Sequence, residues 1–305
     1  VKESPDVVSK PEPVNDDRPR AAMISLVRNS DLDLVLRSMR QLETRWNARY
    51  RYPWVFFSDE PLSREFKDAT SNATFAACYY EVVPQEHWSV PDWIDGDMFN
   101  RSLEYLKQIG VHNKGSMDDA SYRHLKARWH SGFFYKHPRM QEFDWYWRVK
   151  PDAQFYGNID YDVFRFMRDN GMKYGYGSSM DKILGYNARS APSLLWRTRS
   201  FMDVHPELIH PEADLDWLLL DREPQSSDNN KRQFSANVEI GDLHFFRGEQ
   251  HGRYFEWLDR SGGFFYEFPG DAAVRALSAA MFLPKRQVWF LGDVGCQYRV
   301  DGYVH

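Results

Sequence analysis

Cysteine is scarce: 305 residues hold two, Cys78 and Cys296. Thiols this far apart make no metal-binding spacing, and they leave open one long-loop disulfide or two buried thiols. No run of eighteen apolar residues occurs, so no segment reads as a membrane-spanning helix. No block of five or six basic residues exists either, and with a net charge of −5 and a pI near 6.1 this excludes a nucleic-acid partner. Walker loops, GxGxxG, HExxH and GxSxG are all missing, which removes the commonest nucleotide-binding, protease and esterase chemistries. The first twenty residues carry four prolines and five acids (Glu3, Asp6, Glu12, Asp16 and Asp17), and their only other apolar residues are valines without periodicity. Such a head cannot bury a core and is expected to be a flexible stem remnant, residues 1–20, before a single folded domain at 21–305.

Aromatic residues are abundant instead, at 16% of the chain with 11 Trp, 17 Tyr and 21 Phe. They exclude disorder for most of the length, and they suit both a large core and a cleft that stacks on sugar rings. From Ala21 the pattern is that of alternating strands and helices. Ala22 to Val27 is an apolar run ending in the helix-capping turn Arg28-Asn29-Ser30-Asp31, Leu32 to Trp46 has helical spacing, and Tyr52 to Phe57 is a second strand closed by Ser58-Asp59. Thr74 to Val83 is a third. A strand–helix–strand order at this spacing is a βαβ unit, which places ligands beyond the carboxyl ends of its strands, where Arg28 and Asp59 stand. Further helices are expected near 121–135, 161–170, 193–204, 248–261 and 272–281, a short helical turn at 214–220, and strands at 143–149, 173–179, 239–246 and 288–291. Residues 221–231 are polar and aperiodic, a surface loop. The fold class is therefore α/β, with Asp152, Glu239, Asp242, Asp271 and Asp293 near element ends. The two sequons, Asn72-Ala-Thr and Asn100-Arg-Ser, are glycan acceptors only in a secreted chain.

Several longer runs carry a resemblance. Ser131-Gly-Phe-Phe-Tyr-Lys-His-Pro138 followed by Asp144-Trp-Tyr-Trp-Arg-Val149, Glu86-His-Trp-Ser89, Pro91-Asp-Trp-Ile-Asp95, Val238-Glu-Ile-Gly-Asp-Leu243, Gly262-Gly-Phe-Phe-Tyr-Glu267 and Gly270-Asp-Ala272 resemble the fungal α-1,2-mannosyltransferases of the KTR group. The match runs from about Arg20 to Tyr298. It implies a GT-A-type, Rossmann-like domain with a mixed central sheet flanked by helices, GDP-mannose as donor, and transfer with retention to a mannose-containing glycan. It also implies a Golgi lumen address through a type II membrane anchor outside this sequence, an address that would favour a Cys78–Cys296 disulfide.

Carried over by position, the resemblance implies catalytic roles for Glu239 and Tyr122 and donor binding by Arg28, Asp59, Arg148, Lys150 and Asp152. Asp271 and Trp88 become acceptor-side candidates. The family's ion is Mn²⁺, held by a glutamate where this chain has Lys150 and by a histidine near the last strand. Here Val288 to Tyr298 contains no histidine. A protonated lysine cannot ligate a metal ion and repels it. The resemblance therefore implies a transferase in which Lys150 stands in for the ion, with no metal expected and Asp152 and His244 as its weak remaining candidates. The other reading is an inactive binding or scaffold subunit of a mannan-synthesising assembly.

Overall fold

In the computed structural model, residues 17–109, 117–155, 157–177, 191–213, 215, 238–267, 270–291, 296–300 and 303–304 are described. The head at 1–16, the turn expected at 214–220 apart from residue 215, and the loop at 221–231 lie outside them. Asp17 to Arg20 lie against the domain: Asp17 pairs with Arg165 and Arg168, the Arg18 guanidinium sits 3.9 Å from the Tyr52 ring centre, and Arg20 pairs with Asp144.

The chain builds β1 (Ala21–Leu26), α1 (Leu32–Leu42), β2 (Trp54–Ser58), α2 (Arg64–Asn72), β3 (Cys78–Val82), α3 (Gly96–Gln108) and α4 (Met117–Gly132). There follow β4 (Trp145–Val149), β5 (Ala153–Phe155), α5 (Val163–Asp169), β6 (Tyr174–Tyr176), α6 (Leu194–Val204), β7 (Val238–Asp242), α7 (Leu243–Phe246), α8 (Glu249–Arg260), α9 (Asp271–Phe282), β8 (Val288–Phe290), β9 (Cys296–Val300) and β10 (Tyr303–Val304). Seven strands form one sheet in the order β3-β2-β1-β4-β7-β6-β8, and β10-β9-β5 form a small second one. β1 pairs parallel with both β2 and β4, whereas β7 runs antiparallel to β4 and to β6. The sheet is thus mixed and flanked by helices, as expected.

β1, β2 and β4 are buried along their whole length because apolar residues cover both faces of the sheet. Alternation sends Met23, Trp54, Phe56 and Trp147 to one cluster, with Val35, Met39 and Leu42 of α1, and sends Ile24, Val55, Phe57 and Tyr146 to the other, with Trp129 of α4. A third cluster joins α3, α4, α6, α8 and α9.

One expectation is corrected, and two helices were not expected. The strand read over 239–246 stops at Asp242, whose Oδ1 accepts the His244 N–H at 2.8 Å and so caps α7. α2 and α3 replace segments that carried no helix expectation. Cys78 is buried in β3, its sulfur 4.0 Å from the Thr70 carbonyl oxygen, and the Cys296 side chain lies outside the described residues.

His251 of α8 ties the helical layer together from full burial. Its Nε2 lies 2.9 Å from the Ser131 carbonyl and its Nδ1 2.7 Å from the Ser278 hydroxyl. A carbonyl only accepts, so Nε2 carries the proton and Nδ1 accepts from Ser278. Burial pushes the imidazole from its ordinary 6.5 down to about 3. The folded state therefore refuses a proton that the unfolded chain accepts. The stabilisation is complete above pH 6.5 and declines as pH falls towards 3, by about 2 kcal/mol at pH 5. Urea unfolding at pH 7 and pH 5 should show this drop, and a His251→Gln chain should show a shallower one. Equal slopes would refute it.

Candidate active site

Because β1, β2 and β4 are mutually parallel, their carboxyl ends share one edge of the sheet, the edge at which α/β folds bind ligands. Arg28 stands two residues beyond β1, Asp59 directly beyond β2, and Lys150 and Asp152 beyond β4. The sequence places Arg28 and Asp59 at these ends, and the structure sets Lys150 and Asp152 on the same edge.

Arg28 opens the turn into α1, its backbone N–H donating to Asp31 Oδ2 at 2.8 Å. Its guanidinium carbon lies 3.4 Å from the centre of the Tyr122 ring, a close cation–π stack. Trp88 meets the same ring edge-to-face at 5.3 Å. Tyr122 projects from α4, so the rim of the sheet and the helical layer are joined at this stack. Burial raises the Tyr122 hydroxyl above its usual value; Arg28 opposes the shift, while Asp59 and Asp31 add to it. The hydroxyl therefore stays protonated and able to donate at any physiological pH. Asp59 Oδ1 is buried with no hydrogen-bond partner among the described residues.

Beyond β4, Pro151 ends the strand and Asp152 takes a left-handed backbone, φ 63°. The turn is pinned to α1: Asp152 N–H donates to the Leu34 carbonyl at 3.1 Å, the Ser38 hydroxyl to the Lys150 carbonyl at 3.2 Å, and Asp152 Oδ1 lies 3.5 Å from Arg37 Nη1. Arg37 was not anticipated. No sequence pattern marks a helical arginine as the partner of an acid more than a hundred residues away.

Glu239 is held differently. On β7 it sits opposite Arg148 of β4, with no exposed surface. Arg275 of α9 grips both its oxygens, the Tyr146 hydroxyl donates to Oε1 at 2.5 Å, and Arg148 Nη1 lies 3.7 Å from Oε2. Arg275 also donates to the His130 carbonyl at 2.8 Å. Gly241 makes room for the Tyr146 ring, since a Cβ there would fall 2.5 Å from Tyr146 Cε1. The resemblance implies a catalytic role for Glu239, and in the structure it lies buried among Arg275, Tyr146 and Arg148. In this conformation Glu239 is the buried counter-ion of Arg275, and Arg148, two residues before Lys150, faces it from β4.

His244 and Asp152 do not meet. β7 is antiparallel to β4, so Asp242 lies beside Trp145 and His244 falls at the opposite edge from Asp152. There His244 Nε2 lies 3.0 Å from Asp144 Oδ1, and Arg20 holds both Asp144 oxygens. Burial pushes the Asp144 carboxyl up, but the hydrogen bonds and charges of Arg20 and His244 outweigh it and hold it below its usual value. The two residues cannot ligate one ion. Asp242 is likewise structural, bridging to Lys173 at 2.5 Å. Asp271 begins α9, and its side chain lies outside the described residues, as does Asp293.

At this rim Lys150 brings a positive charge, Asp152 faces Arg37 across 3.5 Å, and among the described residues no group of three or more His, Cys, Asp or Glu could hold a metal ion.

The sequence profile of the family described as glycolipid 2-alpha-mannosyltransferase matches residues 2–305. The chain is 42% identical over 278 residues to the Saccharomyces cerevisiae protein named alpha-1,2 mannosyltransferase KTR1, covering 91% of this chain and 68% of that one. It is 36% identical to glycolipid 2-alpha-mannosyltransferase 2 of Candida albicans, covering 95% of this chain and 60% of the relative. The crystal structure of core-mannan synthase A from Aspergillus fumigatus, an Mn/GDP form, superposes with a TM-score of 0.79 at 38% identity, over 97% of this chain and 78% of that one. The architecture is therefore that of the GT-A-type glycosyltransferases.

Proposed function

The chain belongs to the glycolipid 2-alpha-mannosyltransferase family, and from that premise we propose that it moves mannose from GDP-mannose to a mannose-terminated glycan or mannan, with retention and without a metal ion. The observation that carries this reading is the shared rim, where Arg28, Asp59 and Lys150 stand at the carboxyl ends of adjacent parallel strands and Tyr122 of α4 stacks on Arg28. In the transfer, the bond from the anomeric carbon to the β-phosphate oxygen breaks. The acceptor hydroxyl oxygen takes its place, and the hydroxyl proton leaves with the diphosphate. Negative charge grows on the departing GDP, so stabilisation belongs with fixed cations at that point. Lys150 supplies one, just beyond β4, the strand that also carries Arg148. Glu239 enters as a positioning residue, holding both arginines in place.

A Golgi lumen address on a type II anchor belongs to the same proposal. Asn72 and Asn100 are both exposed, which suits glycan attachment there; among the described residues no helix is long and apolar enough to cross a membrane.

Calorimetric titration of GDP-mannose, once with Mn²⁺ and once with EDTA, tests the reading. Equal binding in both is expected. Binding with Mn²⁺ alone would overturn the metal-free site, and no binding in either would favour the scaffold subunit.

A further inference from the structure

Trp93 is left 56% exposed by folding, yet the chain on either side of it is fixed. Ile94 is buried in the cluster that joins α3, α4 and α8, and its N–H donates to the Pro91 carbonyl at 3.0 Å. The Asp95 N–H donates to the Tyr266 hydroxyl at 2.8 Å. The indole is tied as well, its Nε1–H donating across 3.5 Å to the Asp259 carbonyl near the end of α8. With the polar atom satisfied, the exposed part of the ring is apolar and flat. An indole already held in place loses little freedom when a ligand packs on it, so stacking there goes into affinity.

This shelf is continuous with the transfer rim. β3 runs parallel to β2, so the segment after Val82 starts at the carboxyl edge, and there Trp88 meets Tyr122. From Trp88 the chain crosses α4, where Arg128 Nη1 donates to the Ser89 carbonyl at 3.5 Å, and reaches α8 at Trp93. Arg128 lies six residues past Tyr122, about 9 Å along α4, and the five residues from Trp88 to Trp93 span at most about 17 Å. That is too far for the sugar being extended and within reach of other units of the same chain. The surroundings fix the chemistry of the occupant. Asp92, Asp95 and Asp97 are all exposed beside Trp93. They repel phosphate groups and anionic lipid, and an apolar protein face would have to bury them. A neutral polyhydroxylated chain offers a C–H face to the ring and O–H donors to the carboxylates. We infer that Trp93 is a distal subsite for the body of a neutral mannan chain, remote from the mannose that receives the transferred sugar. The inference rests on the mannan-acceptor reading above and deepens it.

Calorimetric titration of mannopentaose, without nucleotide, into the parent and Trp93→Ala tests it. The variant should bind about tenfold more weakly, and Trp93→Phe, which keeps a flat face, should recover most of the loss. Methyl α-mannoside, too short to reach the shelf, should bind both chains alike. In transfer assays Trp93→Ala should raise KM for mannopentaose by the same factor, with kcat and the KM for methyl α-mannoside unchanged. An unchanged thermal midpoint would show that the variant is folded. A parent that does not bind mannopentaose, equal affinity in parent and Trp93→Ala, or an equal loss for methyl α-mannoside would each overturn the subsite. Phosphorylated mannopentaose bound as tightly as the neutral sugar would overturn the assignment to a neutral chain. Failure of the donor reading looks different: Trp93-dependent binding of mannopentaose by a chain that does not bind GDP-mannose would uphold the subsite and assign it to a scaffold subunit.

Discussion

Glu239→Gln should unfold far more easily than the parent, with a loss of about 3 to 5 kcal/mol in urea denaturation. The substitution removes the charge that Arg275 and Arg148 share and turns an amide N–H₂ towards a guanidinium that can only donate. Arg275→Met should cost a similar amount by leaving the carboxylate under-compensated, and Tyr146→Phe should cost less, about 1.5 to 3 kcal/mol, since it deletes one charged hydrogen bond. The experiment separates two roles for Glu239. A catalytic carboxylate facing the sugar would lose turnover on Glu239→Gln while keeping its unfolding midpoint. A positioning carboxylate loses the midpoint first. Parent-like stability with abolished transfer would refute the buried counter-ion reading and restore the one the resemblance implied.

The rim was legible because it depends on local pattern. A strand, a capping turn and a helix can be read from Ala22 to Trp46, and the rule for parallel sheets then places Arg28 and Asp59 without any knowledge of their neighbours. Topology beyond β3 could not be read this way. Local pattern does not say whether β7 runs parallel or antiparallel to β4, and the antiparallel direction puts Glu239 beside Arg148 and carries His244 to the far edge. The same limit explains the missed helices. α2 is mostly polar, with Phe66, Thr70 and Ser71 as its buried face, so its periodicity is faint; its one clear signal was Ser63, whose hydroxyl caps the Phe66 N–H at 3.1 Å. α3 buries Phe99, Leu103 and Leu106 at helical spacing behind the Asp95 cap, a pattern diluted by exposed Met98 and Tyr105. Glu239 shows the harder case. Its residue type and strand position fit a nucleophile and a buried counter-ion alike, and the approach of Arg275, thirty-six positions later, is visible only in three dimensions.

Lys150→Glu should lower GDP affinity in EDTA by roughly tenfold to a hundredfold, and Lys150→Met by a smaller factor. Two unit charges at 4 Å interact by about 1 kcal/mol in water and about 4 kcal/mol near a protein surface, so reversing one charge against a diphosphate at this half-buried rim is worth at least a decade. The turn itself should survive, because the Lys150 carbonyl and the Asp152 N–H tie it to α1. Adding Mn²⁺ then becomes informative. In the parent it should change nothing, since a cation already occupies that place in the electrostatics. In Lys150→Glu the new carboxylate stands two residues from Asp152, and part of the lost affinity should return with Mn²⁺. Asp152 is held by Arg37 across 3.5 Å, a pair exposed enough on the arginine side to yield to a divalent ion, so Arg37→Ala in the same background should enlarge the recovery. Unchanged GDP affinity of Lys150→Glu in EDTA would mean that the lysine does not face the diphosphate, and the charge-replacement proposal would fall.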